Sequence, residues 1–261
     1  MKKYLDIVHE VHKSPYKLTI VSSGGGTNAI SALLEVPGAS NTILESHIPY
    51  SKESMNSFLN KKPDHYCSLD TCLNMAANAF KKSKQIDTTS KTKHLLGISI
   101  TANLATTYEK RGDHKFFIVV QAFDYTKYLE CYLDKGKRTR EEEEELITAC
   151  VISLLADSCG FEFSIPEIDE EISINKVTAE KSWVKLFNNK VGFISNNKSN
   201  PELIFPGSFN PLHEGHIKMK ELAEKKTGMH TTFEICANNA DKPPLTFYEI
   251  KRTLDQFQND E

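Results

Sequence analysis

Pro206-Gly207-Ser208-Phe209-Asn210-Pro211-Leu212-His213-Glu214-Gly215-His216 follows directly on the apolar run Leu203, Ile204, Phe205. The run reads as a short strand that empties into a loop opened by Gly207 and stiffened by Pro211. His213 and His216 then stand three apart where a helix begins, and Ile217, Met219, Leu222 and Ala223 carry that helix to Gly228. Residues three apart in a helix share a face. The first-turn N–H groups and the helix dipole favour anions. Two imidazoles and a row of backbone donors therefore converge where a polyphosphate fits. The plainer alternative is a strand-turn-helix connection with two surface histidines.

This stretch resembles the signature of the nucleotidyltransferase superfamily that includes the nicotinate and nicotinamide mononucleotide adenylyltransferases and the phosphocholine-type cytidylyltransferases. Its members carry Gly-Ser/Thr-Phe-Asp/Asn-Pro followed by His-x-Gly-His, matched here by Gly207, Ser208, Phe209, Asn210, Pro211, His213, Gly215 and His216. The resemblance implies in-line attack by a substrate phosphate on the α-phosphate of ATP or CTP, with Mg²⁺ commonly assisting and pyrophosphate leaving. It assigns His213 and His216 to the triphosphate, the backbone of Gly207, Ser208, Phe209 and Asn210 to close approach of the nucleotide, and Gly215 to the room it needs. No covalent intermediate is implied, so catalysis rests on positioning and charge.

Beyond that helix, Thr231 to Cys236 reads as a second parallel strand, making a βαβ unit from Leu203 onward. A loop over Asn238 to Pro244 and a helix over Phe247 to Phe257 follow. In the adenylyltransferase-like branch these positions hold a lysine-containing Pro-rich loop and a helical arginine, to which Lys242 and Arg252 are similar. The superfamily sheet has five or six strands and a second signature, Ile-Ser-Ser-Thr-x-x-Arg. Residues 201–261 are too few for that. The expectation is the first half of a Rossmann-like nucleotidyltransferase domain in a truncated form of a longer protein.

Upstream, helices and strands alternate. Tyr4, Leu5, Val8 and Val11 form one helical face, Lys17 to Val21 a strand, Thr27 or Asn28 a cap for a helix through Leu34, and Thr42 to Tyr50 an extended segment. Helices are expected over Lys52 to Leu59 and along Leu69, Cys72, Leu73, Ala76 and Phe80, followed by a strand over His94 to Ile100. Phe116 to Phe123 and Tyr128 to Leu133 suit a hairpin, and Leu146, Ile147, Cys150 and Leu154 the buried face of a helix over Glu141 to Ser158. The fold class is therefore α/β, with an N-terminal layered domain on a mixed sheet over residues 1–160. Residues 161–200 read as a linker with a short helix over Ala179 to Phe187, and the acidic tract Glu141 to Glu145 as a solvated first helical turn.

Residues 1–160 resemble a second family, the competence-damage-protein C-terminal domain, which in bacteria acts as a nicotinamide mononucleotide amidohydrolase. Val21-Ser22-Ser23-Gly24-Gly25-Gly26, Val36-Pro37-Gly38-Ala39-Ser40 and Gly97-Ile98-Ser99 carry the likeness, and Arg138 after Gly136 resembles a further family arginine. The family's serine, tyrosine and lysine fall by spacing on Ser40, Tyr50 and Met55. A thioether takes no proton, so Lys52 is the nearest substitute for the base. Ser22 in place of an acid, and Ile100 and Asn103 in place of glycines, imply a narrowed pocket. A scaffold or dimerisation role for this domain is the alternative, with a homo-oligomer formed through it.

Composition sets the bounds. In 261 residues with 39% hydrophobic content and a formal net charge of -3 there is no electrostatic case for nucleic acid or an anionic membrane. No run of about 18 apolar residues is present, and Asp6 and His9 interrupt any signal-peptide core. A cytoplasmic protein is expected. Six cysteines without a Cys-x-x-Cys pair are expected to be reduced, and no metal-ligand set is read. The functional expectation is adenylyl transfer to a pyridine mononucleotide, with a non-catalytic scaffold or a Ser40 amidohydrolase as alternatives.

Overall fold

In the computed structural model, which describes residues 4–108, 111–162, 164–195, 201–238 and 243–257, the chain is organised on two central parallel strands. β1 (Lys17–Ser23) and β3 (Leu95–Asn103) are buried on both faces along nearly their whole length, as central parallel strands are. β2 (Ile43–His47) lies parallel on the far side of β1. β4 (His114–Gln121) and β5 (Tyr125–Leu133) continue the sheet antiparallel from β3. Together with β6 (Ile172–Thr178) they make a six-stranded mixed sheet of order β2-β1-β3-β4-β5-β6. The α/β class with a mixed sheet is thus observed.

Helices cover both faces. α1 (Leu5–Lys13), α2 (Thr27–Glu35) and α5 (Arg140–Ser158) share one core with Leu18, Ile20, Ile98, Ile118 and Leu129. On the opposite face lie α3 (Lys52–Leu59) and α4 (Leu69–Ile86), with Met55, Cys72, Leu73 and Met75 buried beneath them. α4 rests directly on β3. A Cβ on Gly97 would stand 2.2 Å from the Phe80 nitrogen and 2.4 Å from the Ala76 carbonyl oxygen, so this crossing tolerates no side chain.

Two expectations change here. β6 lies in the stretch read as a linker, and pairs antiparallel with β5, so the sheet runs past residue 160. Its sequence, Ile-Ser-Ile-Asn-Lys-Val-Thr, is mostly solvent-facing, as an edge strand permits. The acidic tract is likewise not all solvated. Glu142 forms a capping box with Thr139, but Glu143 and Glu144 are buried. Glu143 accepts the Ala105 N–H at 2.6 Å and Glu144 the Gly26 N–H at 2.7 Å, so two distant loops are tied to the start of α5.

α6 (Lys181–Phe187) follows β6, and its Trp183, Leu186 and Phe187 pack against Phe247. The C-terminal segment then forms the expected βαβ unit: β7 (Leu203–Gly207), α7 (Glu214–Thr227) and β8 (Thr231–Ile235). β7 and β8 pair in parallel as a sheet of two strands. α8 (Phe247–Phe257) joins this unit to the first domain. Its start is capped by Thr246 and Glu249, the Phe247 N–H donates to Thr126 Oγ1 at 3.0 Å, and Tyr248 meets Tyr128 edge-on. Among the described residues no helix is long and apolar enough to cross a membrane.

Candidate functional site

At the end of β7 the chain turns on Phe209. Its backbone takes φ 44°, a region that non-glycine residues rarely adopt. Its ring is buried and lies over Gly207, where an added Cβ would meet it at 2.6 Å. Phe205, Phe233 and Phe257 surround that ring at centroid separations of 4.9–5.7 Å. The strained residue is held by this aromatic packing, and the polar residues beside it are pushed outward: Ser208, Asn210, His213 and Gly215 are all exposed.

His213 is the N-cap residue of α7 and His216 its third helical residue. Their rings stack at 3.7 Å between centroids and 22° between planes. The His213 N–H donates to His216 Nδ1 at 3.3 Å. A neutral ring that accepts at Nδ1 carries its proton on Nε2, so His216 presents an N–H donor beyond the loop. Partial desolvation, and then the neighbouring His213, draw the His216 pKa below the usual histidine value, which favours that neutral form. A Cβ on Gly215 would come within 3.1 Å of the exposed His213 ring, which would have to shift slightly to make room. The structure therefore brings His213 and His216 together at a helix start, with exposed hydroxyl and amide groups alongside.

Gln256 was not signalled by any motif. From α8 its amide donates to the Phe209 carbonyl at 2.9 Å and accepts the Leu212 N–H at 2.8 Å, clamping the loop. Arg252, which the resemblance gives a part in organising the nucleotide loop, pairs with Asp70 of α4 at 2.8 Å and lies over the Tyr248 ring. Lys242 lies outside the described residues.

The first-domain residues divide differently. Tyr50 and Lys52 follow β2, at the sheet edge where β1 ends in its glycine turn, and Ser23 Oγ donates to the Pro49 carbonyl there at 3.0 Å. Ser40 lies before the other end of β2. It sits in a 3-10 turn before β2, beside α1, so the strand separates it from Tyr50 by roughly 15 Å. Family spacing alone does not tell which end of the strand each residue occupies: Ser40 precedes β2, and Tyr50 and Lys52 follow it. Arg138 forms a forked ion pair with the buried Glu170, one arm at 2.8 Å.

The glycine turn itself is filled. Glu144 takes the Gly26 N–H, Arg140 donates to the Gly24 carbonyl at 2.8 Å, and Ile100 packs where a Gly26 Cβ would meet it at 2.7 Å. Asn103 donates to the Asp113 carbonyl at 2.6 Å.

No protein-family model matches the chain, and no curated protein does. Among solved structures it is similar to a competence-damaged protein (CinA) superfamily protein from Enterobacter cloacae, at 13% identity over 61% of this chain and 94% of that one, TM-score 0.49. It is also similar to competence/damage inducible protein CihA from Agrobacterium tumefaciens, at 14% identity over 59% and 93%, TM-score 0.46. A CinA superfamily protein from Escherichia coli is similar at 11% identity over 60% and 88%, TM-score 0.46. Identities this low leave the assignment of function to the residues of this chain.

Proposed function

We propose that the protein transfers a nucleotidyl group from ATP or CTP to a phosphorylated small molecule, a pyridine mononucleotide being the first candidate acceptor. The observation that carries this reading is the stacked pair His213 and His216 at the start of α7. In the proposed reaction an acceptor phosphate oxygen attacks the α-phosphorus of the nucleotide. The bond to the bridging oxygen of the β-phosphate breaks, and pyrophosphate leaves. The loop contributes position and charge stabilisation: imidazole N–H donors and the first-turn N–H groups of α7 face the phosphates. Ser208 and Asn210 flank them.

Mg²⁺ is expected to enter on the nucleotide. Among the described residues no group of three or more His, Cys, Asp or Glu is placed to hold a metal, and Mg²⁺ commonly binds through substrate phosphates and water. The first domain is proposed to serve as a platform that holds the loop through α8.

The test is pyrophosphate release from ATP or CTP with Mg²⁺ and nicotinate or nicotinamide mononucleotide. Release that falls by roughly 10²–10³ in His213→Ala or His216→Ala supports the reading. Absence of release with either nucleotide, across a panel of phosphorylated acceptors, refutes it.

A further inference from the structure

A cavity of ≈ 280 Å³ opens where the last turns of α4, the end of α6 and the residues leading into α8 meet. Phe80, Phe123, Phe187 and Phe247 wall it, and Lys81 and Lys84 reach it from α4. No Asp or Glu is among the described residues that line it. Lys84 is half-buried. Its amine has the Phe187 carbonyl at 3.4 Å and the face of Phe80 at 5.7 Å, and among the described residues it forms no ion pair. Burial alone draws its pKa below the usual lysine value.

A cation taken partly out of water is stabilised by a carboxylate, and among the described residues this one has none. Aromatic walls favour a flat ring, and ligand sites concentrate in cavities between chain segments. The volume lies near the small end of ligand pockets, roughly 300–1,000 Å³. We propose that this cavity binds a small aromatic carboxylate, its ring between the phenylalanines and its carboxylate on Lys84, with Lys81 at the rim. The site shares no residue with the His213–His216 loop and does not depend on nucleotidyl transfer.

Calorimetric titration of the full chain with benzoate, benzamide and inorganic phosphate tests this. Benzoate is expected to bind roughly tenfold or more tightly than benzamide, the scale of a charge-assisted contact. Phosphate is expected to bind more weakly than benzoate for want of a ring. Lys84→Met should abolish the preference for benzoate over benzamide. Lys81→Met, exposed at the rim, should weaken benzoate roughly threefold and stands in if Lys84→Met does not fold. Equal binding of benzoate and benzamide, phosphate binding as tightly as benzoate, no saturable benzoate binding, or unchanged affinity in the lysine variants would each overturn the proposal.

Discussion

Gln256 donates its side-chain amide to the Phe209 carbonyl at 2.9 Å, and with its own carbonyl receives the Leu212 N–H at 2.8 Å. One residue of α8 thus sets the shape of the loop that presents both histidines. The same helix is fixed to the first domain by Thr126, Asn74 and Asp70. Gln256→Ala is predicted to cost about 0.5–1.5 kcal/mol of stability, because two partly buried backbone groups lose their partner. Hydrogen exchange at the Leu212 amide should accelerate with it. Unchanged exchange there would show that the loop holds its shape without the clamp.

Arg252 and Asp70 couple α8 to α4. A double-mutant cycle with Arg252→Leu and Asp70→Asn is predicted to give a coupling of about 0.5–1 kcal/mol, small because the pair is partly exposed. Additive effects would mean that the ion pair contributes nothing to the joint.

The Arg138 guanidinium holds the Glu170 carboxyl at about 2, below its usual 4.5. The folded value is depressed, so the stability it contributes is present above about pH 4.5 and is lost as pH falls towards 2. Glu170→Gln should flatten the fall of Tm across that window and lower Tm at neutral pH. A variant with the same acid slope as the parent would assign that slope to other carboxylates.

The cysteines should fall into two reactivity classes. Burial pushes Cys72, Cys150 and Cys159 up to about 12 and Cys131 up to about 11. In native protein the buried Cys72, Cys131 and Cys150, and the partly exposed Cys159 through its raised pKa, are predicted to react slowly with a thiol-disulfide reagent, with the fast class drawn from Cys67 and Cys236, also partly exposed. Rapid labelling of all six would contradict the packing of α4 and α5.

Much of the fold is legible in local pattern. β1, β3 and β4 are apolar runs between turn residues, and the β7-α7-β8 unit is punctuated by Gly207, Pro211 and Gly228. β6 was not legible, because an edge strand with one face in water needs few apolar residues, and Ser173, Asn175 and Lys176 read as loop. Glu143 and Glu144 were misread for a different reason. Their partners are backbone N–H groups 38 and 118 residues away, which composition does not encode.

The site shows the same division. The spacing of His213 and His216 gave their shared helix start, since both fall within one turn. Phe209 meets the His216 ring edge-on, and the loop's shape is held by Gln256, 40 or more residues along the chain. Ser40 and Tyr50 lie ten residues apart in sequence, yet the extended strand β2 runs between them, so one precedes its start and the other follows its end.

The central claim is that the two stacked imidazoles receive a triphosphate. Its most direct test is a titration of the full chain with ATP and with CTP, each with Mg²⁺, followed by NMR at the histidine ring nitrogens. The prediction is a saturable shift of the His213 and His216 resonances with at least one nucleotide, absent with the corresponding nucleoside. Rings that stay unmoved through saturating ATP and CTP, or that shift equally with the phosphate-free nucleoside, would contradict it.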